Sequence, residues 1–190
     1  MKITGVFLIY GMLSLVAAAI LTTMSSSIPD GTLLFVEGGS QIVMDFTDSP
    51  YSHVAIIFNE DGVPYVYEAT KPTCRKVKLE EYMKEIKFLN EKQNKQMRVW
   101  IKKPLNLSND SIHEMKDYCK DQLGRKYRVS SYLSGKSTKG IHCGEMTMRS
   151  MIMGGMNPRV NPCKCSPHDI MELSSKWYNK AEELSRFPSE

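Results

Sequence analysis

The sequence predicts one α+β domain, a mainly antiparallel central sheet flanked by helices. Three observations lead there. A hairpin signal spans Ser49 to Ala69, helical repeats alternate with short β-rich runs downstream, and 190 residues suit one domain with a substantial core. No internal repeat and no second domain is visible.

The hairpin comes first because the remaining elements are arranged around it. Val54 to Phe58 is rich in β-branched and aromatic residues, and Asn59-Glu-Asp-Gly62 supplies turn chemistry before Tyr65-Val-Tyr-Glu68-Ala69. Two registers are open. A loop over Asn59–Gly62 places His53 opposite Glu68, whereas a loop of Asp61-Gly62 alone places His53 opposite Thr70 with Glu68 as its diagonal neighbour. Both put the imidazole and the carboxylate on one face, because side chains alternate with period two. A carboxylate beside an imidazole fixes its tautomer and supports its protonated form. Both faces of Val54–Phe58 are apolar, which predicts a central strand.

The other elements follow in order. Thr32 to Val36 is a first strand, and Ser40 to Phe46 is a short amphipathic helix expected to turn Ile42, Val43 and Phe46 inward. Thr73 to Val77 adds a short strand. Leu79 to Leu89 has helical apolar spacing, and Met97 to Ile101 is a further strand. Ser108-Asn-Asp110 opens a helix stopped at Gly124, with Ile112, Met115, Cys119 and Leu123 on one side. Arg125 to Gly140 is polar and reads as a long loop. Helix resumes near Cys143 and runs to Gly154, with its methionines as packing. Ser166-Pro167-His-Asp169 is a strong helix start, and the closing helix is expected through Ile170, Leu173, Trp177 and Leu184.

The N-terminal stretch 3–24 is nearly free of charge and long enough to span a bilayer; it also fits a secretory signal with a small-residue region at Ala17-Ala18-Ala19. Residues 1–27 are therefore expected to be a signal peptide or membrane anchor with its linker, ahead of a domain over 28–190. An exported or membrane-anchored location follows, with membrane association through residues 3–24. A buried core helix is the third option. The charge of +4 is modest and spread out, and no basic patch with interleaved aromatics points to nucleic acid. The cations at Lys71–Lys78, Lys102-Lys103 and Arg125–Arg128 read as solvated surface.

The candidate nucleophile is Cys143. A polar loop precedes it and a helix follows, so it stands at a helix N-terminus, where the dipole favours thiolate. Backbone N–H groups there can receive an oxyanion, and Gly144 allows close approach. Local sequence alone leaves a catalytic thiol and a buried structural cysteine equally open. His142 is a poor base because it is adjacent to the cysteine, Glu145 is read as a dipole-stabilising carboxylate, and His168 as structural.

The ordered set Asp30-Gly-Thr-Leu-Leu-Phe35, Ser49-Pro-Tyr-Ser-His53-Val, Pro64-Tyr-Val-Tyr-Glu68-Ala69, Leu123-Gly-Arg-Lys-Tyr127, His142-Cys143-Gly-Glu145 and Cys165-Ser-Pro167 resembles the circularly permuted NlpC/P60 group of papain-like enzymes, in its YiiX-like, poxvirus G6-like branch. The resemblance implies a papain-like fold and a triad of Cys143 as nucleophile, His53 as base and Glu68 as the residue orienting it. It also implies Tyr127 near the oxyanion. Three positions depart from the group's pattern: Arg128 stands for an aspartate, and His142 and Gly144 replace the usual tyrosine and serine around the cysteine.

The expected activity is a thiol hydrolase cleaving a peptide or peptidoglycan-type amide through a thioacyl-enzyme, with no cofactor and no metal. The alternatives are a lipid acyltransferase or acyl hydrolase on the same triad, and an inactive binding domain. A zinc module built on His142, Cys143, Cys163, Cys165 and His168 is a further class, disfavoured by the Cys-x-Cys spacing.

Overall fold

The computed structural model describes residues 28–184; the apolar N-terminal segment expected to be a signal or anchor lies outside them. Among the described residues no helix is long and apolar enough to cross a membrane. Six strands form one antiparallel sheet: β1 (Thr32–Glu37), β2 (Tyr51–Glu60), β3 (Val63–Ala69), β4 (Cys74–Lys78), β5 (Arg98–Lys102) and β6 (Glu182–Glu183). Their spatial order is β4-β3-β2-β1-β5-β6, so the doubly apolar β2 is central, as its composition requires.

Helices cover both faces. Leu33, Phe35, Val54, Ile56, Phe58 and Tyr67 pack against α3 (Asn109–Asp121), α5 (Cys143–Met153) and α6 (Pro167–Leu173). Leu34, Val36, Ala55, Ile57 and Val66 pack against α2 (Leu79–Gln93) through Leu79 and Tyr82. Helix α5 is buried on nearly every side, and Met146, Met148 and Met151 are packed inside the core.

Of the two hairpin registers, the chain adopts the shorter loop. Glu60 pairs with Val63, leaving Asp61-Gly62 as the turn with φ of 51° and 79°. Two consecutive left-handed residues match the right-handed twist of the strands they join, which is why an Asp-Gly pair closes the hairpin here. At the other end of β2 a bulge interrupts the pairing: Val36 faces His53 but Glu37 faces Tyr51. The extra residue, Ser52, is buried; its hydroxyl accepts from Gly39 N (3.1 Å) and donates to Val36 O (3.3 Å). The bulge fixes the direction in which His53 leaves the strand.

Three expectations need correction. Ile42 and Phe46 of α1 (Gln41–Thr47) are not inward; they are 82% and 63% exposed, because the apolar side of this short helix faces an open pocket rather than the core. The segment after Arg125 contains a further helix, α4 (Ser130–Ser134), closed by left-handed Gly135. Third, the closing helix stops at Leu173. Lys102 Nζ takes the Met171 carbonyl (2.7 Å) and Ser175 Oγ (3.1 Å), satisfying the helix end, and after a 3-10 turn the chain adds β6 to the free edge of β5.

Candidate active site

Period-two alternation sends His53 and Glu68 to the α2 face of the sheet, near the end where β2 starts and β3 finishes. His53 Nε2 and Glu68 Oε2 are 2.6 Å apart. Glu68 is only 3% exposed, and its other oxygen accepts from Arg75 Nε at 2.6 Å. Arg75 stands directly opposite Glu68 on β4, and its remaining nitrogens hold Glu85 of α2 at 3.1 and 2.6 Å. Burial raises the Glu68 pKa, but the hydrogen bond from His53 and the charges of His53 and Arg75 outweigh it and keep the carboxylate ionised.

Cys143 is the first residue of α5 and enters from the opposite face of the sheet. The imidazoles of His53 and His142 are the groups that act on its thiol electrostatically. Burial opposes ionisation, but the hydrogen bonds of His142 and His53 and their charges lower the pKa to about 6. The other four cysteines go the opposite way. Burial pushes Cys74 to about 11, Cys119 and Cys165 to about 12, and also raises Cys163. All five thiols are free. His53 is raised to about 10; burial lowers it, and contact with Cys143 and Glu68 more than compensates. With Nε2 on Glu68, the ring has Nδ1 left for the sulfur.

His142 is differently engaged. It is the N-cap of α5, its Nδ1 accepting from Glu145 N (3.3 Å) while Nε2 donates to Cys163 O (3.1 Å). That pattern fits the neutral ring, since a proton on Nδ1 would break the cap. Burial lowers the pKa of this ring, but Cys143, the Cys163 carbonyl and Glu145 outweigh it and raise it overall, so the cap and the neighbouring anions pull its protonation in opposite directions. Glu145 is fully buried; it accepts from Ser131 Oγ (2.6 Å) and Arg149 Nε (3.0 Å), tying α4 to α5. Gly144 is required by packing. A Cβ there would lie 1.9 Å from the Cys165 carbonyl oxygen, so the loop after α5 closes onto this glycine and no larger residue fits.

A cleft runs past Cys143 as two adjoining pockets that share Ile42, Val43, Tyr127, Val129 and Leu133. One, of about 860 Å³, contains His53, Glu68 and Arg75. The other, of about 250 Å³, has Cys143 in its wall and is otherwise almost wholly apolar. Burial and the Cys143 charge push the Tyr127 hydroxyl up, so it stays protonated beside the thiol. The structure thus brings Cys143, His53, Glu68 and Tyr127 to one cleft, whereas His168 is at the start of α6 with its Nδ1 buried. Among the described residues no group of three His, Cys, Asp or Glu side chains is placed to hold a metal ion.

Sequence reasoning missed Arg75, which it left among surface cations. The available signal was a cation on the strand next to the one carrying Glu68.

The family model of permuted papain-like amidase enzymes (YaeF/YiiX, C92 family) matches residues 27–151. The chain belongs to that family. A YaeF/YiiX-type fold is also found by comparison with solved structures. The crystal structure described as the metalloprotein yiiX from Escherichia coli O157:H7, DUF1105, is similar with a TM-score of 0.55 and 19% identity. The similarity covers 79% of this chain and 84% of that one. No curated protein sequence matches the chain. Membership of this amidase family supports a cysteine hydrolase type of activity.

Proposed function

We propose that the protein hydrolyses an amide by covalent catalysis at Cys143. The observation that supports this most is the pair of opposed shifts on two neighbouring groups, a thiol lowered to about 6 beside an imidazole raised to about 10. These opposite directions favour the thiolate and imidazolium pair, the state in which sulfur attacks and a proton is ready for the leaving group.

The thiolate attacks the amide carbonyl carbon, and the carbonyl oxygen becomes an oxyanion. The backbone N–H groups of Cys143 and Gly144, in the first turn of α5, have no acceptor within the helix and face this charge. Tyr127 supplies a further protonated donor. The His53 imidazolium gives its proton to the amine as the C–N bond breaks, leaving a thioacyl-enzyme. His53 then takes a proton from water, hydroxide adds to the thioester, and carboxylic acid leaves with regeneration of the thiolate. Glu68 holds His53 in the tautomer that presents Nδ1 to sulfur and stabilises its charge. Arg75 holds Glu68.

The test is acylation by an activated ester, p-nitrophenyl octanoate, followed by rapid acid quench and mass spectrometry. The expected result is one hydroxylamine-labile octanoyl group on Cys143 in the wild type and none in Cys143→Ala. Acylation of another cysteine, or of none, would overturn the proposal.

A further inference from the structure

A base that must give a proton to the leaving amine and then take one from water cannot hold its proton too firmly. A lone buried carboxylate beside His53 would do just that, because an unscreened anion stabilises the imidazolium strongly.

Glu68 is not alone. Its Oε2 lies 2.6 Å from His53 Nε2, and its Oε1 accepts from Arg75 Nε at 2.6 Å. Arg75 is delivered by strand pairing: it stands opposite Glu68 in the β3–β4 ladder, and side chains of directly opposed residues leave the sheet on the same face. Its Nη1 and Nη2 grip the two oxygens of Glu85 at 3.1 and 2.6 Å. Four elements, β2, β3, β4 and α2, therefore each supply one member of a continuous row, His53–Glu68–Arg75–Glu85.

The two carboxylates on Arg75 are unequal. The Glu68 side chain is 3% exposed and that of Glu85 is 45% exposed. Water screens Glu85, so its contact chiefly fixes the plane of the guanidinium, whereas Arg75 meets Glu68 where screening is weak. From His53 an anion and a cation lie one behind the other, and their fields partly cancel. The other groups around the row do not undo this. Burial holds the Tyr82 hydroxyl of α2 and the Cys74 thiol of β4 protonated and so neutral, with Cys74 pushed up to about 11. Lys71, Lys95 and Arg128 line the same pocket and add no anion to it. Cys143 is the one remaining anion that acts on His53.

We propose that the group orienting His53 is the Glu68–Arg75 pair acting as a unit, in which Glu68 accepts from the ring and Arg75 both fixes the carboxylate and tempers its hold on the proton. The pair sets the tautomer as a carboxylate does, yet leaves the proton free to move. Arg75 acts through Glu68 and is a positioning residue. The inference rests on the role given to His53 above.

An NMR titration of His53 tests it, in the full-length Cys143→Ala protein with isotope-labelled histidine and no substrate. The chain has four histidines, and His53→Gln identifies the signal. Glu68→Gln removes an anion and is expected to lower the titration point. Arg75→Met keeps the stem but removes a cation, and is expected to raise the point by about one pH unit. Arg75→Lys restores the charge without the fork and is expected to recover at least half of that shift. A fall in Arg75→Met, in the direction of Glu68→Gln, or no change, would overturn the inference and leave Arg75 as a prop for the carboxylate. Circular dichroism checks folding. Should Arg75→Met fail to fold, Glu85→Gln decides: loss of a screened anion is expected to lower the point by roughly 0.2–0.5 unit, and no fall would overturn the inference. The titration needs no turnover, so absence of octanoyl on Cys143 would leave its result standing, and a contrary titration would leave the acylation standing.

Discussion

Two histidines meet Cys143, and they differ in what else they hold. His53 leaves a central strand just after a bulge, has one nitrogen on a buried carboxylate, and has the other left for sulfur. His142 ends a loop and spends both nitrogens on the backbone, one capping α5 and one on the Cys163 carbonyl. The first can gain and lose a proton without disturbing the fold. The second cannot, because protonation of Nδ1 removes the cap. Proximity to a thiol therefore does not identify a base; the demands on the second nitrogen do.

Three substitutions break this contrast in order of expected effect. Glu68→Gln removes the charge that supports the His53 imidazolium while keeping the shape. A loss on the order of 10²- to 10⁴-fold in kcat/KM is expected, about 3–5 kcal/mol, in steady-state amide hydrolysis. The alkaline limit of activity also falls, because His53 loses its proton earlier. Gly144→Ala forces a methyl onto the Cys165 carbonyl and is expected to cost about 1–3 kcal/mol in urea unfolding. His142→Ala is the mildest. It removes a cap, about 1 kcal/mol of stability, and His142→Asn recovers most of that because asparagine is a good N-cap.

The face shared by His53 and Glu68 was legible because β parity is indifferent to which even-length loop closes the hairpin. The loop itself was not, since Asn59–Gly62 offers turn residues throughout; the paired positive φ at Asp61 and Gly62 is a feature of the folded backbone. Arg75 was illegible for a similar reason. Its register with Glu68 depends on the connection through residues 70–73, which carries no regular pattern. The apolar face of α1 was visible in the spacing of Ile42, Val43 and Phe46, but periodicity says which residues share a side and not whether core or cleft lies opposite. The helix α4 has too few residues to show a period at all. At Gly144 the requirement for glycine has a direct cause in the Cys165 carbonyl, a contact across the chain that no local reading contains.

The central claim is that His53, and not His142, shares its proton with Cys143. The pH dependence of Cys143 alkylation by iodoacetamide, read by peptide mass spectrometry, tests it most directly. In the wild type the reactive thiolate should form as pH rises through about 6, since a lowered thiol pKa means the anion is present above that value and lost below it. In His53→Ala the profile should move up toward the ordinary thiol range near pH 8.5, and in His142→Ala it should move up by less, because the imidazole paired with Glu68 remains beside the sulfur. A profile that moves with His142 and is indifferent to His53 would contradict the account.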